Sequence, residues 1–300
     1  MRYYTLALVL ASAGCGLPNH QPYDAPLPDT EEAAQFYCCH DPERYPEWYV
    51  EWAKSASDTL TPLLGRVEAK PGALSRHPDA LSALMARARP FDVVTVSNKA
   101  RKSGTIIPGH FTHVGLYLGT ESQLRKAGLW SHRALAPLQA DIRAGRTVAE
   151  AQAQGIRMVA PDTILNTDGA ALIRPELTTR ERTEAAAVLT QYLGTTFDPF
   201  FDLCTEDTVA CNELLARALP GQAYPLRHVY GAQMIIPDDV VAKAIRRDGA
   251  EVVAYVYSDG PNWHDAGIRA VMAHIRAFWG PSPAKASNLV DPNSPACCAR

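Results

Sequence analysis

The chain has 300 residues and a formal net charge of -3, with 47% apolar and 20% charged residues. That profile suits one large domain with a sizeable core and excludes a disordered or fibrous chain. The basic clusters Lys99–Arg101–Lys102 and Arg246–Arg247 are too short to make a phosphate-binding stripe, so nucleic acid is not an expected partner.

The first element is at the N-terminus. Arg2 precedes an apolar run from Tyr3 to Ala13, which ends at Ala13-Gly14-Cys15. Such a run is too short to cross about 30 Å of hydrocarbon. It has the length of a signal-peptide core, and residues 1–14 are expected to be one. The small residues before Cys15 resemble the lipobox of bacterial lipoproteins, with Ser12 standing where that motif usually has Leu. The resemblance implies a lipidated Cys15 and a membrane anchor. The alternative is ordinary secretion with Cys15 an incidental thiol. Gly16 stands where an inner-membrane retention signal would have Asp, which implies the periplasmic face of the outer membrane in a cell that has one.

Residues 15–34 are rich in Pro, Asp and Glu and read as a tether. Residues 35–90 read as a helical annex, with aromatic positions at Tyr45, Trp48, Tyr49 and Trp52 and apolar ones at Leu60, Leu63, Leu64, Leu81 and Leu84. Trp48–Tyr49–Trp52 reads as a packed helix face, with a membrane-facing belt as the alternative. A hydrolase body is expected over 91–285. Its strands are Phe91–Ser97, His113–Leu118, Thr147–Ala151, Ile156–Val159, Ala170–Arg174 and Val252–Tyr257. Residues 120–146 read as an inserted helical segment. A helix over 178–193 is marked by Thr178 with Glu181 at its start and Gly194 beyond its end. Two more helices are expected, from Cys211 to Leu219 and from Ile268 to Trp279. The 286–300 tail is polar. Clustered strands with helices before and after define an α+β class.

Cysteine usage fits an exported protein. The doublets Cys38-Cys39 and Cys297-Cys298 are expected to form disulfides with each other, tying the two ends of the mature chain together. Zinc held by the four is the alternative, although adjacent Cys is not the usual ligand spacing and no His cluster accompanies it. No metal-ligand set, phosphate loop, dinucleotide fingerprint or G-x-S-x-G elbow is present, and no cofactor is expected.

The chemistry centres on a thiol. Cys211 opens a helix, where unpaired backbone N–H groups favour the thiolate and can hold a developing oxyanion. Taken alone it would be a small buried hydrophobe. His113 begins a strand whose alternation puts His113, Gly115 and Tyr117 on one face, and Gly115 is expected to leave room for the helix that carries the nucleophile. Cys204 competes with Cys211 but has no helix start behind it; it reads as a structural or resolving thiol.

Three segments together resemble the circularly permuted branch of the NlpC-type papain-like superfamily. They are Phe91-Asp92-Val93-Val94, Thr112-His113-Val114-Gly115-Leu116-Tyr117-Leu118-Gly119 and Ala210-Cys211-Asn212-Glu213-Leu214-Leu215. The nearest likeness is to YiiX/YebB-like cysteine hydrolases, with lecithin retinol acyltransferases further off. It covers about 90–245, and includes Phe197-Asp198-Pro199-Phe200-Phe201-Asp202 and Pro237-Asp238-Asp239. Asn212, in place of a small hydroxyl residue, and Leu215, in place of Val, depart from the pattern.

The resemblance implies a permuted papain-like fold, with a small antiparallel sheet packed on the nucleophile helix. It also implies Cys211 as nucleophile, His113 as base and a thioester intermediate. Glu150-Ala151 followed by Gly155-Ile156 matches the setting of the third residue, which would orient His113; Asp168 and Asn166 stand in reserve. Substrates consistent with this are peptidoglycan peptide amides or, as an alternative, lipid esters and amides approached by an acyltransferase or thioesterase. A non-catalytic envelope-binding lipoprotein is the rival reading. Oligomeric state is not legible.

Overall fold

The computed structural model describes residues 31–39, 71–98, 107–199, 201, 203, 207–229 and 232–280. The signal peptide, Cys15, the Trp48–Tyr49–Trp52 cluster, Cys204, Cys297, Cys298 and the 286–300 tail lie outside them.

The helices are α1 (Glu31–Ala34), α2 (Pro78–Met85), α3 (Glu121–Lys126), α4 (Gln139–Arg143), α5 (Pro161–Ile164), α6 (Thr179–Tyr192), α7 (Cys211–Ala218), α8 (Pro237–Ile245) and α9 (Ile268–Trp279). The strands are β1 (Asp92–Ser97), β2 (His113–Tyr117), β3 (Val148–Gln152), β4 (Gly155–Val159), β5 (Gly169–Pro175), β6 (Thr196–Phe197), β7 (Thr208–Val209), β8 (Arg227–Val229), β9 (Ala232–Met234), β10 (Ala250–Ser258) and β11 (Trp263–Ala266). Seven of them form one antiparallel sheet in the order β11-β10-β5-β1-β2-β3-β4, so the α+β class holds. This sheet is larger than the small one expected. β5 crosses to the far side of β1, and the β10–β11 hairpin then extends the sheet beyond it.

β1 is a run of β-branched residues buried along its whole length. Such a strand needs cover on both faces, and it has it. Val93, Val114, Leu116, Ala149, Ala171 and Ile173 face a core built with α6, α7, α8 and α9. Val94, Val96, Val148, Ala170, Leu172 and Val256 face a second core. Leu74, Ala80, Leu84 and Ala88 complete that second core. Residues 71–90, the described end of the 35–90 segment, are therefore packed on the body as one of its layers.

The tether also ends earlier than expected. Ala33 and Phe36 are buried in the first core, Glu32 pairs with Arg276 of α9 at 2.8 Å, and Arg246 Nη1 donates to the Phe36 carbonyl. Cys38 is bonded to Cys39 itself, not to the distant doublet. The two sulfurs lie near Asp239. That carboxylate already accepts two hydrogen bonds from the Arg227 guanidinium, at 2.8 Å each, and a disulfide offers no thiolates to a metal. Among the described residues, no helix is long and apolar enough to cross a membrane.

Candidate active site

The site is assembled where α7, β2, β3 and β4 meet. Gly115 of β2 pairs with Glu150 of β3, and Glu150 pairs with Arg157 of β4. His113 lies two residues before Gly115 and so shares its face. The ladder therefore delivers three side chains in a row. His113 Nε2 bonds Glu150 Oε2 at 3.0 Å. Arg157 donates to the other oxygen, Oε1, from Nε at 3.1 Å and from Nη2 at 2.8 Å.

α7 packs on the opposite face, with Leu214 and Leu215 in the core that holds Val114, Leu116 and Ala149. Its N-cap, Ala210, has no side chain to cap the helix. The Glu213 carboxylate instead reaches back to the Ala210 N–H at 3.1 Å and pairs with Arg217. Burial pushes the Glu213 carboxyl up to about 7 even so. The Asn212 amide donates to the Ile235 carbonyl and pins the start of the helix from behind. Asn212 thus has a structural task.

Cys211 is the first residue of α7, and His113 is the first residue of β2. At these two ends the Cys211 side chain lies near enough to the imidazole to raise the His113 pKa. Burial works against the imidazolium, but the charges and hydrogen bonds of Cys211 and Glu150 outweigh it and raise the His113 pKa to about 10. Glu150 is 1% exposed. Burial would raise its pKa, yet His113 and Arg157 together hold it below the usual value.

The structure thus brings Cys211, His113 and Glu150 together. It gives the reserves other tasks: Asn166 Oδ1 accepts the Gly72 N–H and Asp168 Oδ1 the Ala73 N–H, each at 2.8 Å. Gly115 corrects one expectation. A Cβ there would come within 2.7 Å of Ile164 Cδ1 and 3.0 Å of Val148 Cγ1, so the missing side chain makes room for α5, not for the nucleophile helix.

Sequence reasoning missed Arg157 and, although Asp238 stood in a quoted motif, the role of Asp238. The β3–β4 hairpin register was the signal for the first, since the turn ahead of Gly155 sets Glu150 opposite Arg157. Asp238, wholly buried, accepts the His110 and Phe111 N–H groups at 2.7 Å each and so holds the loop leading into His113. Its pairing with that loop had no local signal, since the partners lie far apart in the chain.

Comparison of the chain with known proteins finds no family model, no curated protein and no solved structure that matches. The class that fold and site define is an α+β protein with Cys211, His113 and Glu150 gathered between a helix start and a sheet.

Proposed function

We propose that the chain is a thiol hydrolase with a permuted papain-like arrangement, acting on amide bonds in the cell envelope from a lipid anchor at Cys15. The observation that carries this reading is the Cys211–His113 contact, with His113 held in turn by Glu150. A nucleophile, a base and a group orienting the base are what covalent acyl transfer needs. The base precedes the nucleophile in the chain, the reverse of papain order, and this supports the permuted reading.

In the mechanism, the Cys211 thiol gives its proton to His113, and the thiolate attacks the substrate carbonyl carbon. The backbone N–H groups of Cys211 and Asn212 at the start of α7 hold the developing oxyanion. The C–N bond breaks as the imidazolium protonates the leaving nitrogen, and a thioester remains. Water then attacks the thioester carbon. His113 takes the water's proton, the acid is released and Cys211 is restored. Glu150 keeps the ring in one tautomer and balances its charge throughout. Peptide amides of the cell wall suit the proposed location.

The test is alkylation of the mature chain with iodoacetamide across pH, with the modified residue mapped by mass. An unassisted thiol titrates at about 8.5. Cys211 should be labelled well below that pH, and His113→Ala should abolish the low-pH labelling. Equal labelling profiles for wild type and His113→Ala would refute a catalytic pair.

A further inference from the structure

The geometry points to Arg157 as a positioning residue of this site: it holds the Glu150 carboxylate in the orientation that grips His113. The inference rests on the function proposed above and extends the relay by one residue.

The reasoning begins with burial. A carboxylate at 1% exposure is costly unless both oxygens are satisfied. His113 engages only Oε2. With nothing on Oε1, the group would be free to turn about its last bond and take up a proton. Arg157 puts two N–H groups on Oε1, so that with His113 on Oε2 both oxygens are held and the carboxylate keeps one orientation and its charge. The placement comes from sheet register, since Glu150 pairs directly with Arg157 and with Gly115 on its other side. The charged or titratable groups facing Glu150 are His113 from β2, Arg157 from β4 and, across a shared cavity, Asp162 from α5.

That cavity, of about 360 Å³, makes the inference testable. Glu150 and Arg157 both line it, with Gln152, Gln154 and Asp162. The Arg157 side chain is 38% exposed, so its removal opens a solvated space and leaves both cores intact. A small cation can enter from that side.

The experiment measures the rate constant for iodoacetamide alkylation of Cys211 across pH in wild type, Arg157→Ala, Arg157→Lys, Glu150→Gln and the Arg157→Ala/Glu150→Gln double variant. Without Arg157, Glu150 protonates at a higher pH and stops holding the imidazolium. The Arg157→Ala rate constant should therefore fall about tenfold near pH 5 and stay within about twofold of wild type near pH 9, where a thiol ionises unaided. Arg157→Lys should lie between the two. Guanidinium chloride at low concentration should restore the low-pH rate of Arg157→Ala, and sodium chloride should not. In the Glu150→Gln background, Arg157→Ala should add nothing, because the residue acts through that carboxylate. A uniform loss across pH, or equal rescue by both salts, would mean a merely structural residue and overturn the inference. If wild-type labelling does not depend on His113, the proposed function fails. If it does and Arg157→Ala follows wild type, the inference about Arg157 alone fails.

Discussion

At the scale of single residues, the site turns on how long His113 keeps its proton. Burial alone would discharge the ring, and the opposing effect of Cys211 and Glu150 lifts its pKa from 6.5 to about 10. The linkage has a definite sign. A base whose pKa is raised by folding contributes stability in full below its unfolded value, and loses it as pH rises through the folded one. The window is therefore from about 6.5 to about 10. Wild type should be more stable than His113→Gln at neutral pH, and urea titrations should show the gap closing steadily through that window. Cys211 is the first of the two causes that raise the ring, so in a Cys211→Ser background the gap should close at lower pH. A gap that stays constant from neutral to alkaline pH would show that the ring carries no linked charge. Glu150 has the opposite sign. Its pKa is lowered from 4.5, so its contribution is present above that value and fades as acid protonates it.

At the scale of elements, the site depends on parts that never touch it. The loop entering β2 is closed by α8, whose Asp238 takes the His110 and Phe111 N–H groups on its two oxygens and also accepts from Trp279 Nε1 at 2.7 Å. The fit is close enough to require glycine at 109. The residue there has a φ of 116°, and a Cβ would lie 2.6 Å from Asp238 Oδ2. Asp238→Ala strands buried donors at about 1–3 kcal/mol each, so a loss of about 3–5 kcal/mol is expected in urea unfolding. The same variant should slow Cys211 alkylation, because the loop that aims His113 is released. Asp238→Asn keeps the shape and one acceptor, and should fall between. A change within about 0.5 kcal/mol, ordinary for a surface substitution, would remove Asp238 from this role. α8 also shows where local pattern stops being informative. β2, β3, α6, α7 and α9 were legible because their periodicity and capping residues lie within themselves; the Thr178–Glu181 capping box is one example. In α8 every residue is buried, including Asp238, Asp239 and Lys243. Those charges are met by loop backbone, by Arg227 and by Asp248. The Arg227 and loop partners lie well upstream in the chain, so the segment read as a motif fragment rather than a helix. The Cys211–His113–Glu150 set was legible only through the resemblance of its motifs taken together, since a helix start and a strand start are each weak marks alone. Arg157 needed a strand register to be seen.

At the scale of the whole molecule, one sheet separates two cores, and β1 and β5 belong to both. Alternate residues of β5 face opposite ways, with Ala171 and Ile173 in one core and Ala170 and Leu172 in the other. Half-buried ion pairs tie the layers across the strand ends: Arg174 holds Asp92 at 3.0 and 2.8 Å, and Arg87 holds Asp265 at 2.7 and 2.6 Å. Neither core can lose its cover without exposing strands the other needs. The layer from 71 to 90 should therefore unfold with the body, contrary to what a detachable annex would do. Leu84 of α2 and Ile275 of α9 are both wholly buried and lie on opposite faces of the sheet. Leu84→Ala and Ile275→Ala should each cost about 2–5 kcal/mol through transfer and cavity terms. Because the two residues lie in separate cores, the losses should add in the double variant to within about 0.5 kcal/mol. Hydrogen exchange pulsed along a urea series and read by peptide mass tests the coupling directly. Peptides from α2 and from α9 should convert at the same urea concentration in wild type, and shift together in either variant. If the α2 peptide exchanges first while α9 stays protected, residues 71–90 are an independent unit and the two-core account is wrong.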